Sequence, residues 1–255
     1  MKLHCIYFSP TGGTERVVRL LAEAWDEPAQ AVDLSLTDGK YGDRAFPPED
    51  LCLIAVPSFG GRVPAVALQR LGQMKADGTN AVLVVTYGNR AYDDTLLELE
   101  ETARQIGFHV VAAVAAVTEH SIMHQFAAGR PDEADQTRLR AFGRQIKEKL
   151  AEHTALSPLA LPGNQPYREY HGVPFKPEAD KSCTDCGICA ARCPVGAIPV
   201  QTPSQTDKTR CISCMRCMAV CPPHARKLNT AVLFVAGKKM EKVCSVRKEA
   251  ELFLG

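Results

Sequence analysis

A cysteine pattern that occurs twice constrains this chain more than any other feature of its sequence. The run Cys183-x2-Cys186-x2-Cys189-x3-Cys193-Pro194 recurs 28 residues later as Cys211-x2-Cys214-x2-Cys217-x3-Cys221-Pro222. These two motifs hold eight of the eleven cysteines, and Cys5, Cys52 and Cys244 lie in segments that otherwise look like core or helix. The repeat therefore indicates a compact module that arose by internal duplication.

The spacing within each motif suits an iron–sulfur cluster. Three cysteines at x2 spacing surround one corner of a [4Fe–4S] cubane. The fourth lies in a short helical turn that a proline ends, so it points away and ligates the other cluster. The pattern predicts that one cluster is held by Cys183, Cys186, Cys189 and Cys221, and the other by Cys211, Cys214, Cys217 and Cys193. Zinc is the alternative, although zinc sites do not need a third cysteine at this spacing or the trailing Cys-Pro.

The duplicated segment resembles two-cluster ferredoxins of the bacterial type over residues 181–226. This resemblance implies low-potential, one-electron transfer. Gly187, Gly196 and small alanines within the motifs allow the backbone to approach the clusters and donate to their sulfurs.

Residues 1–154 show the alternation of an α/β domain. Short apolar runs predict buried parallel strands, and amphipathic stretches between them predict helices. The strands are Leu3–Phe8, Ala29–Leu34, Leu51–Val56, Ala81–Thr86 and Val110–Val117, and the helices are Gly13–Trp25, Val63–Lys75, Tyr92–Ile106 and Arg138–His153. Five strands alternating with four helices predict a doubly wound, five-stranded parallel sheet.

The rest of the chain divides into three parts. Residues 155–180 contain five prolines and predict a linker, while the aromatic residues Tyr167, Tyr170 and Phe175 indicate that part of it packs on a surface. Residues 181–227 form the small α+β cysteine module. Residues 228–255 form a C-terminal extension, with a strand expected at Leu228–Val235 and a helix at Met240–Leu254.

The near-neutral net charge of +1 hides two oppositely charged halves. Residues 1–180 carry 18 basic and 24 acidic side chains, whereas residues 181–227 carry 7 and 2. The excess positive charge of the module has two possible roles: it offsets the negative charge of buried clusters, or it attracts the module to the acidic half of the chain. Nucleic-acid binding is disfavoured because residues 181–227 contain no aromatic side chain for stacking on bases.

Features of secreted and membrane proteins are missing from the sequence pattern. No apolar run is long enough to cross a bilayer, and the beginning MKLHCIYFS lacks a signal peptide's cleavage pattern. We therefore expect a cytoplasmic protein that does not bind membranes. Cysteines in a reducing compartment are expected to serve as metal ligands and not to form disulfides.

The loop after the first strand has the composition of an anion site. It reads Ser9-Pro10-Thr11-Gly12-Gly13-Thr14 and leads directly into the first helix, so free amides and hydroxyls surround one point at a helix N-terminus. The loop contains no lysine or arginine and matches neither the triphosphate nor the dinucleotide motif. A compact monophosphate fits it best, and a capped turn without a ligand is the alternative.

This loop and its surroundings resemble the flavodoxin-like fold, in which such a loop holds the phosphate of FMN. The resemblance implies that the isoalloxazine ring lies at the carboxyl ends of the third and fourth strands. The matching residues are Pro57, Ser58, Phe59, Gly60, Gly61 and Arg62 in one loop, and Thr86, Tyr87, Gly88 and Asn89 in the other.

Several side chains near these loops have more than one possible role. Phe59, Tyr87 or Tyr92 can stack on a flavin, or pack in the core, and Arg62 or Arg90 can stabilise a reduced flavin. His120 and His124 have metal-ligand spacing if their segment is helical. Polar packing is the favoured interpretation of the two histidines, and proton donation by His120 beside the flavin is a third.

Taken in order, a flavodoxin-like half followed by a two-cluster ferredoxin half resembles the ferrodoxin family of anaerobic bacteria. The resemblance covers nearly the whole chain and implies an oxidoreductase or electron carrier that moves electrons between two [4Fe–4S] clusters and FMN. Its partner is expected to be a redox protein or a small-molecule acceptor. The alternative is a ligand sensor or scaffold in which the clusters are structural.

Overall fold

The computed structural model describes residues 1–152 and 158–255. The boundary expected between residues 154 and 155, and the expected helix end at His153, lie outside them. The strands are β1 (Leu3–Tyr7), β2 (Gln30–Asp33), β3 (Ala45–Phe46), β4 (Leu51–Pro57), β5 (Lys75–Ala76), β6 (Asn80–Tyr87), β7 (His109–Val117), β8 (Glu178–Ala179), β9 (Arg226–Lys227) and β10 (Glu251–Leu254). The helices are α1 (Gly13–Ala22), α2 (Ala65–Leu71), α3 (Thr95–Ile106), α4 (Glu133–Ala151), α5 (Ile188–Ala191), α6 (Arg216–Ala219) and α7 (Thr230–Cys244).

The large sheet has six strands in the order β10-β7-β6-β4-β1-β2. Five of them are parallel, and counted along the chain their order is 2-1-3-4-5, which is the flavodoxin-like doubly wound arrangement. The predicted fold class is therefore confirmed. The sixth strand, β10, pairs antiparallel with β7 at the edge and was not expected from the sequence.

Four parallel strands, β1, β4, β6 and β7, are largely buried on both faces, as their nearly continuous apolar sequences predict, whereas the edge strand β2 is half exposed. Residues of α1 and α4, among them Leu21 and Leu139, pack on one face, and residues of α2 and α3, among them Leu71 and Leu99, pack on the other. Since both faces are covered, ligands can reach the sheet only at its ends. Within the described residues, no helix has both the length and the apolar character needed to span a bilayer.

Helix α4 begins five residues before the predicted start at Arg138. Asp132 and Asp135 form a reciprocal capping box, in which the Asp132 carboxylate accepts from the Asp135 amide at 3.0 Å and the Asp135 carboxylate accepts from the Asp132 amide at 3.0 Å. This cap stabilises the start of the helix, so the polar segment Glu133–Thr137 is helical although it has no apolar face of its own.

The predicted order of strand and helix in the C-terminal extension is wrong. The segment expected as a strand starts α7, because the Asn229 side chain accepts from the amides of Ala231 and Val232 and caps the helix. Leu233 and Met240 of α7 then pack against Met123 and Phe126. The segment expected as a helix ends in β10, since the open edge of β7 offers backbone hydrogen bonds to it.

Asn89 fastens the C-terminal extension to the sheet. Its side-chain amide donates to the carbonyls of Cys244 (2.6 Å) and Val246 (2.9 Å), and its carbonyl oxygen accepts from the Lys248 amide (3.2 Å). We expect Asn89→Ala to leave buried polar groups unpaired and to speed amide exchange in residues 245–254 by about tenfold or more. Asn80→Ala, at the other end of β6, is the control, and equal exchange in both variants would contradict the role of Asn89.

The cysteine module repeats its backbone as well as its cysteines. Gly187 and Met215, which are equivalent in the two motifs, both cap a four-residue helix from a left-handed conformation. Asp185 and Ser213 form a second equivalent pair with positive φ. The short antiparallel pair of β8 and β9 closes the module.

The linker packs on the α/β half, as its aromatic residues predict. Leu159 and Leu161 contact the core beside α3. The buried carboxylate of Asp94, at the start of α3, accepts from the amides of Asn164 (2.9 Å) and Arg168 (2.7 Å). Burial alone would raise the pKa of Asp94, but these amide bonds outweigh it and hold the pKa below its usual range.

Candidate functional site

A cavity of about 430 Å³ opens at the carboxyl ends of the parallel strands. It lies where the strand order reverses between β1 and β4, which is where doubly wound sheets bind ligands. All three loops predicted from the sequence reach it, together with the loop after β7. The predicted residues that line it are Thr11, Gly13, Thr14, Pro57, Ser58, Phe59, Gly60, Thr86, Tyr87 and Gly88.

The loop between β1 and α1 presents backbone donors at one side of this cavity. Gly12 adopts φ +89° and starts the helix, and the Ser9 hydroxyl accepts from the Glu15 amide at 2.9 Å. Among the described residues, no acceptor binds the amides of Thr11, Gly13 and Thr14. Unpaired amides at a helix N-terminus fit the monophosphate expected here.

The loop after β4 is a tight turn in which the backbones of Phe59 and Arg62 bond each other. Gly60 has φ +60°, and a Cβ there would lie 2.3 Å from the ring of Tyr170. Glycine is thus required both by the turn and by the close approach of the linker. Tyr170 forms part of the cavity wall.

Five predicted site residues do not line the cavity: Ser9, Gly12, Gly61, Arg62 and Asn89. Ser9 and Gly12 belong to the loop after β1 but lie off the cavity wall, and Gly61 lies against Asp93 and Arg168. The Arg62 guanidinium is paired with the buried Glu98 carboxylate at 2.6 Å and lies over the Tyr167 ring. Asn89 is turned toward the C-terminal extension.

The three aromatic residues considered for stacking on a flavin occupy different positions. Phe59 and Tyr87 line the cavity, whereas Tyr92 packs against Tyr87 with ring centroids 5.2 Å apart and donates to Glu251. Arg90 lines the cavity and pairs with Asp93. Sequence reasoning missed Tyr170 and Phe175 of the linker and Met240 of α7 as wall residues. The aromatic character of the linker was the signal for the first two, and the sequence carried no signal for Met240.

His120 is a wall residue with a fixed tautomer. Its Nδ1 accepts from the amides of Ile122 (3.1 Å) and Met123 (3.2 Å), which places the proton on Nε2. Its ring occupies the space beside Gly88, where a Cβ would lie 2.7 Å away. Burial lowers the pKa of His120 to about 4, so the imidazole is neutral at pH 7.

The structure does not place His120 and His124 as a pair of metal ligands. His124 pairs instead with Glu119 at 2.6 Å, and their segment is not helical. In residues 1–152 and 158–255 no three His, Cys, Asp or Glu side chains are grouped as a single metal ion requires. The favoured interpretation, polar packing, agrees with these contacts.

The lowered pKa of His120 predicts acid sensitivity. In the unfolded chain a histidine takes up a proton near pH 6.5, whereas the folded protein resists protonation down to about pH 4. The stability due to neutral His120 is therefore complete above the unfolded value and is lost as the pH falls. Between pH 8 and pH 5 the wild type should lose about 2 kcal/mol more than His120→Gln, measured by denaturant unfolding. Parallel pH profiles for both proteins would contradict this.

The eight motif cysteines line two small cavities in the cysteine module. One is lined by Cys183, Cys186, Cys189 and Cys221, and the other by Cys193, Cys211, Cys214 and Cys217. These are the two sets that the cross-over of the fourth cysteine predicts. The amides of Ala197 and Ala225 donate to Cys193 Sγ (3.2 Å) and Cys221 Sγ (3.3 Å) at equivalent positions.

Burial raises the pKa of Cys214 and of Cys217 to about 12. A cluster held here would need both residues as thiolates, so its assembly would release their protons. Burial also raises the pKa of Cys5 to about 11 and that of Cys52 further still. Cys5, Cys52 and Cys244 are buried outside both cysteine cavities.

The second cysteine set adjoins the large cavity, because Cys214 and its neighbour Ser213 line that cavity too. No cysteine of the first set does so, and Cys186 is exposed to solvent. The halves also meet through arginines. Arg70 of α2 donates to the Pro194 carbonyl at 2.6 Å, and Arg216 lies 3.7 Å from Asp33. The cysteine module therefore contacts the α/β half, although the sequence left open whether its positive charge serves this contact.

Comparison with known proteins identifies part of the cysteine module. Residues 205–227 match the family model of the 4Fe-4S binding domain, so the second motif lies in an iron–sulfur domain of the ferredoxin type. No curated protein matches the chain.

Solved structures similar to the chain include several flavodoxins. One is a flavodoxin from Streptococcus pneumonia TIGR4, at 14% identity over 58% of this chain and 99% of its own, with a TM-score of 0.43. Flavodoxin 1 from Bacillus cereus has 14% identity over 61% and 100%, with a TM-score of 0.40. Rubredoxin oxygen:oxidoreductase from Desulfovibrio gigas has 18% identity over 59% and 37%, with a TM-score of 0.41. The fold assignment rests on the strand order and not on these scores.

Proposed function

We propose that this chain transfers electrons within one molecule between two [4Fe–4S] clusters and an FMN. The observation that carries the proposal is the position of Cys214, which lines both the second cysteine cavity and the cavity at the end of the sheet. A cluster on the second set would be next to any ligand in the large cavity.

The large cavity has the parts that an FMN requires. The loop amides and the Thr14 hydroxyl, which lies 2.7 Å from the Thr86 hydroxyl, offer neutral donors to a phosphate. Phe59, Tyr87 and Tyr170 offer aromatic surfaces to the ring. When bound, a flavin exchanges one or two electrons, whereas each cluster exchanges one.

The two cysteine sets then have different roles. The exposed Cys186 makes the first set the side at which an external redox protein exchanges electrons. The second set passes them on beside the flavin cavity. The resemblance of the whole chain to the ferrodoxin family of anaerobic bacteria supports this order, and we propose that the protein acts in the cytoplasm.

The cavity wall also offers a hydrogen-bond donor to a small molecule that the flavin would reduce. His120 holds its Nε2 proton at the wall and stays neutral, so it can donate a hydrogen bond to a bound small molecule. A reductase of small molecules and a carrier for protein partners share the same internal electron path.

The proposal predicts about eight iron and eight labile sulfide per chain, with flavin bands in the absorption spectrum of anaerobically prepared protein. After loading with FMN, substoichiometric reduction of the clusters should be followed by flavin reduction at a rate independent of protein concentration in stopped flow. A rate proportional to concentration would show that electrons pass only between molecules. Clusters without bound flavin would favour a sensor or scaffold.

A further inference from the structure

Arg226 is a buried arginine at the wall of the first cysteine cavity. It follows the second motif in sequence and lies in β9, but it lines the cavity of the first set and is only 3% exposed. One of its guanidinium nitrogens donates to Cys189 Sγ at 3.5 Å. A cation therefore contacts a sulfur that the cross-over assigns to the first cluster.

No ion pair compensates the charge of this guanidinium in the part of the chain that the structure describes. Its other hydrogen bonds end at the Thr206 hydroxyl (2.6 Å) and at the carbonyls of Pro203 and Gln205, which are all neutral acceptors. Burial of a charge is costly unless an opposite charge lies close to it. A cluster held by four thiolates on the first set would supply that negative charge.

The internal duplication shows that the backbone of the module does not require an arginine at this position. Ala197 and Ala225 are equivalent, since the amide of each donates to the last cysteine of its own motif. The residue that follows is Ile198 after the first motif and Arg226 after the second. Ile198 is also buried, and it lines the cavity of the second set as Arg226 lines that of the first. The two cavities therefore differ at matched positions, where one has an apolar wall and the other a cation.

The second set has cations near it, but they make a different contact. Lys176 of the linker donates to the Cys211 carbonyl at 2.5 Å and to the Ser213 hydroxyl at 3.0 Å. Among the described residues, no cationic side chain donates to a sulfur of the second set, whereas Arg226 does so to a sulfur of the first.

We infer that Arg226 raises the reduction potential of the cluster on the first set and so adjusts the potential at which electrons enter the protein. The inference rests on the proposed function, which gives this cluster the exchange of electrons with an external redox protein. Reduction adds one electron to the cluster and breaks no bond. A buried cation that donates to a ligand sulfur stabilises the reduced form, because that form is the more negative of the two.

The test is a potentiometric titration of the full chain, followed by EPR, with the iron content checked. Arg226→Gln should lower the ratio of reduced to oxidised first cluster about tenfold at a fixed potential, which is a shift of about 59 mV for one electron. Arg226→Lys should restore most of this ratio because it keeps the charge. Thr206→Val is the matched control, since it removes a hydrogen bond of the Arg226 side chain but no charge, and it should change the ratio less than about twofold.

The same titration in a Cys193→Ala background assigns the shift, because that variant loses a residue of the second set and should keep only the first cluster. A shift that disappears in this background would overturn the inference.

An unchanged potential in Arg226→Gln would overturn the inference and leave the proposed function standing. Equal shifts in Arg226→Gln and Thr206→Val would do the same, because they would make the role of Arg226 purely structural. A wild type that assembles fewer than two clusters would overturn the proposed function itself. If Arg226→Gln holds no iron, the reduced wild type with isotope-labelled arginine side chains decides. Pulsed EPR should then detect a guanidinium nitrogen coupled to a cluster, and the absence of any coupling would contradict the inference.

Discussion

Replacement of Cys193 by alanine should halve the iron content, from about eight to about four per chain, and abolish cluster-dependent flavin reduction. Cys193 belongs to the first motif in sequence, but it lines the cavity of the second set with Cys211, Cys214 and Cys217. Its loss should therefore remove the cluster that we propose beside the large cavity. Iron analysis and stopped-flow absorbance check the two parts of this result.

The reciprocal variant, Cys221→Ala, tests whether the fourth cysteine of each motif belongs to the other set. Cys221→Ala removes a residue of the first set, so a small low-potential donor should still reduce the flavin through the second set. Without the cross-over the two outcomes would be exchanged, with Cys221→Ala blocking flavin reduction and Cys193→Ala sparing it. Cys5→Ala is the control, because Cys5 is buried in β1 outside both cysteine cavities and its replacement should retain all iron.

Replacement of Gly12 by valine should weaken FMN binding about 100-fold or more while changing riboflavin binding much less. Gly12 has φ +89°, which a β-branched residue does not adopt, so the loop must change shape. Its amides would then no longer converge on one point, and several charge-assisted hydrogen bonds of about 1.5–3 kcal/mol each would be lost. Fluorescence titration of flavin-free protein with both ligands measures the difference.

A matched control separates backbone strain from ligand binding. Gly78 also has a positive φ, +72°, with open space around its Cβ position, but it precedes β6 at the opposite end of the sheet. Gly78→Val should cost stability without changing the ratio of the two affinities. If Gly12→Val weakened FMN and riboflavin equally, the loop would not bind phosphate.

Much of the fold could be predicted because its signals are local. Buried parallel strands have apolar sequences such as that of β6, and parallel strands bring their carboxyl ends to one edge, which places the three predicted loops together. The cysteine spacing carries its own geometry, because three ligands in one short loop leave the fourth to point elsewhere. These features need no knowledge of distant contacts.

The C-terminal extension could not be predicted in this way. Its apolar run at Leu228–Val235 has the composition of a strand, but α7 forms there because Asn229 caps it and Phe126 and Phe175 offer a surface to its inner face. β10 forms because β7 has a free edge. Each outcome depends on residues more than 50 positions away, and packing of this kind overrides local propensity.

The sequence by itself determined the two cysteine sets, the doubly wound sheet and the loop suited to a phosphate, because spacing and periodicity act over a few residues. Only the tertiary structure decided which side chains complete the site. Arg62 is paired with Glu98, Tyr170 reaches the cavity from the linker, and Cys214 reaches it from the cysteine module. The physical reason is that the functional group of a long polar or aromatic side chain lies at the far end of that side chain. Its position in space depends on how separate parts of the chain pack.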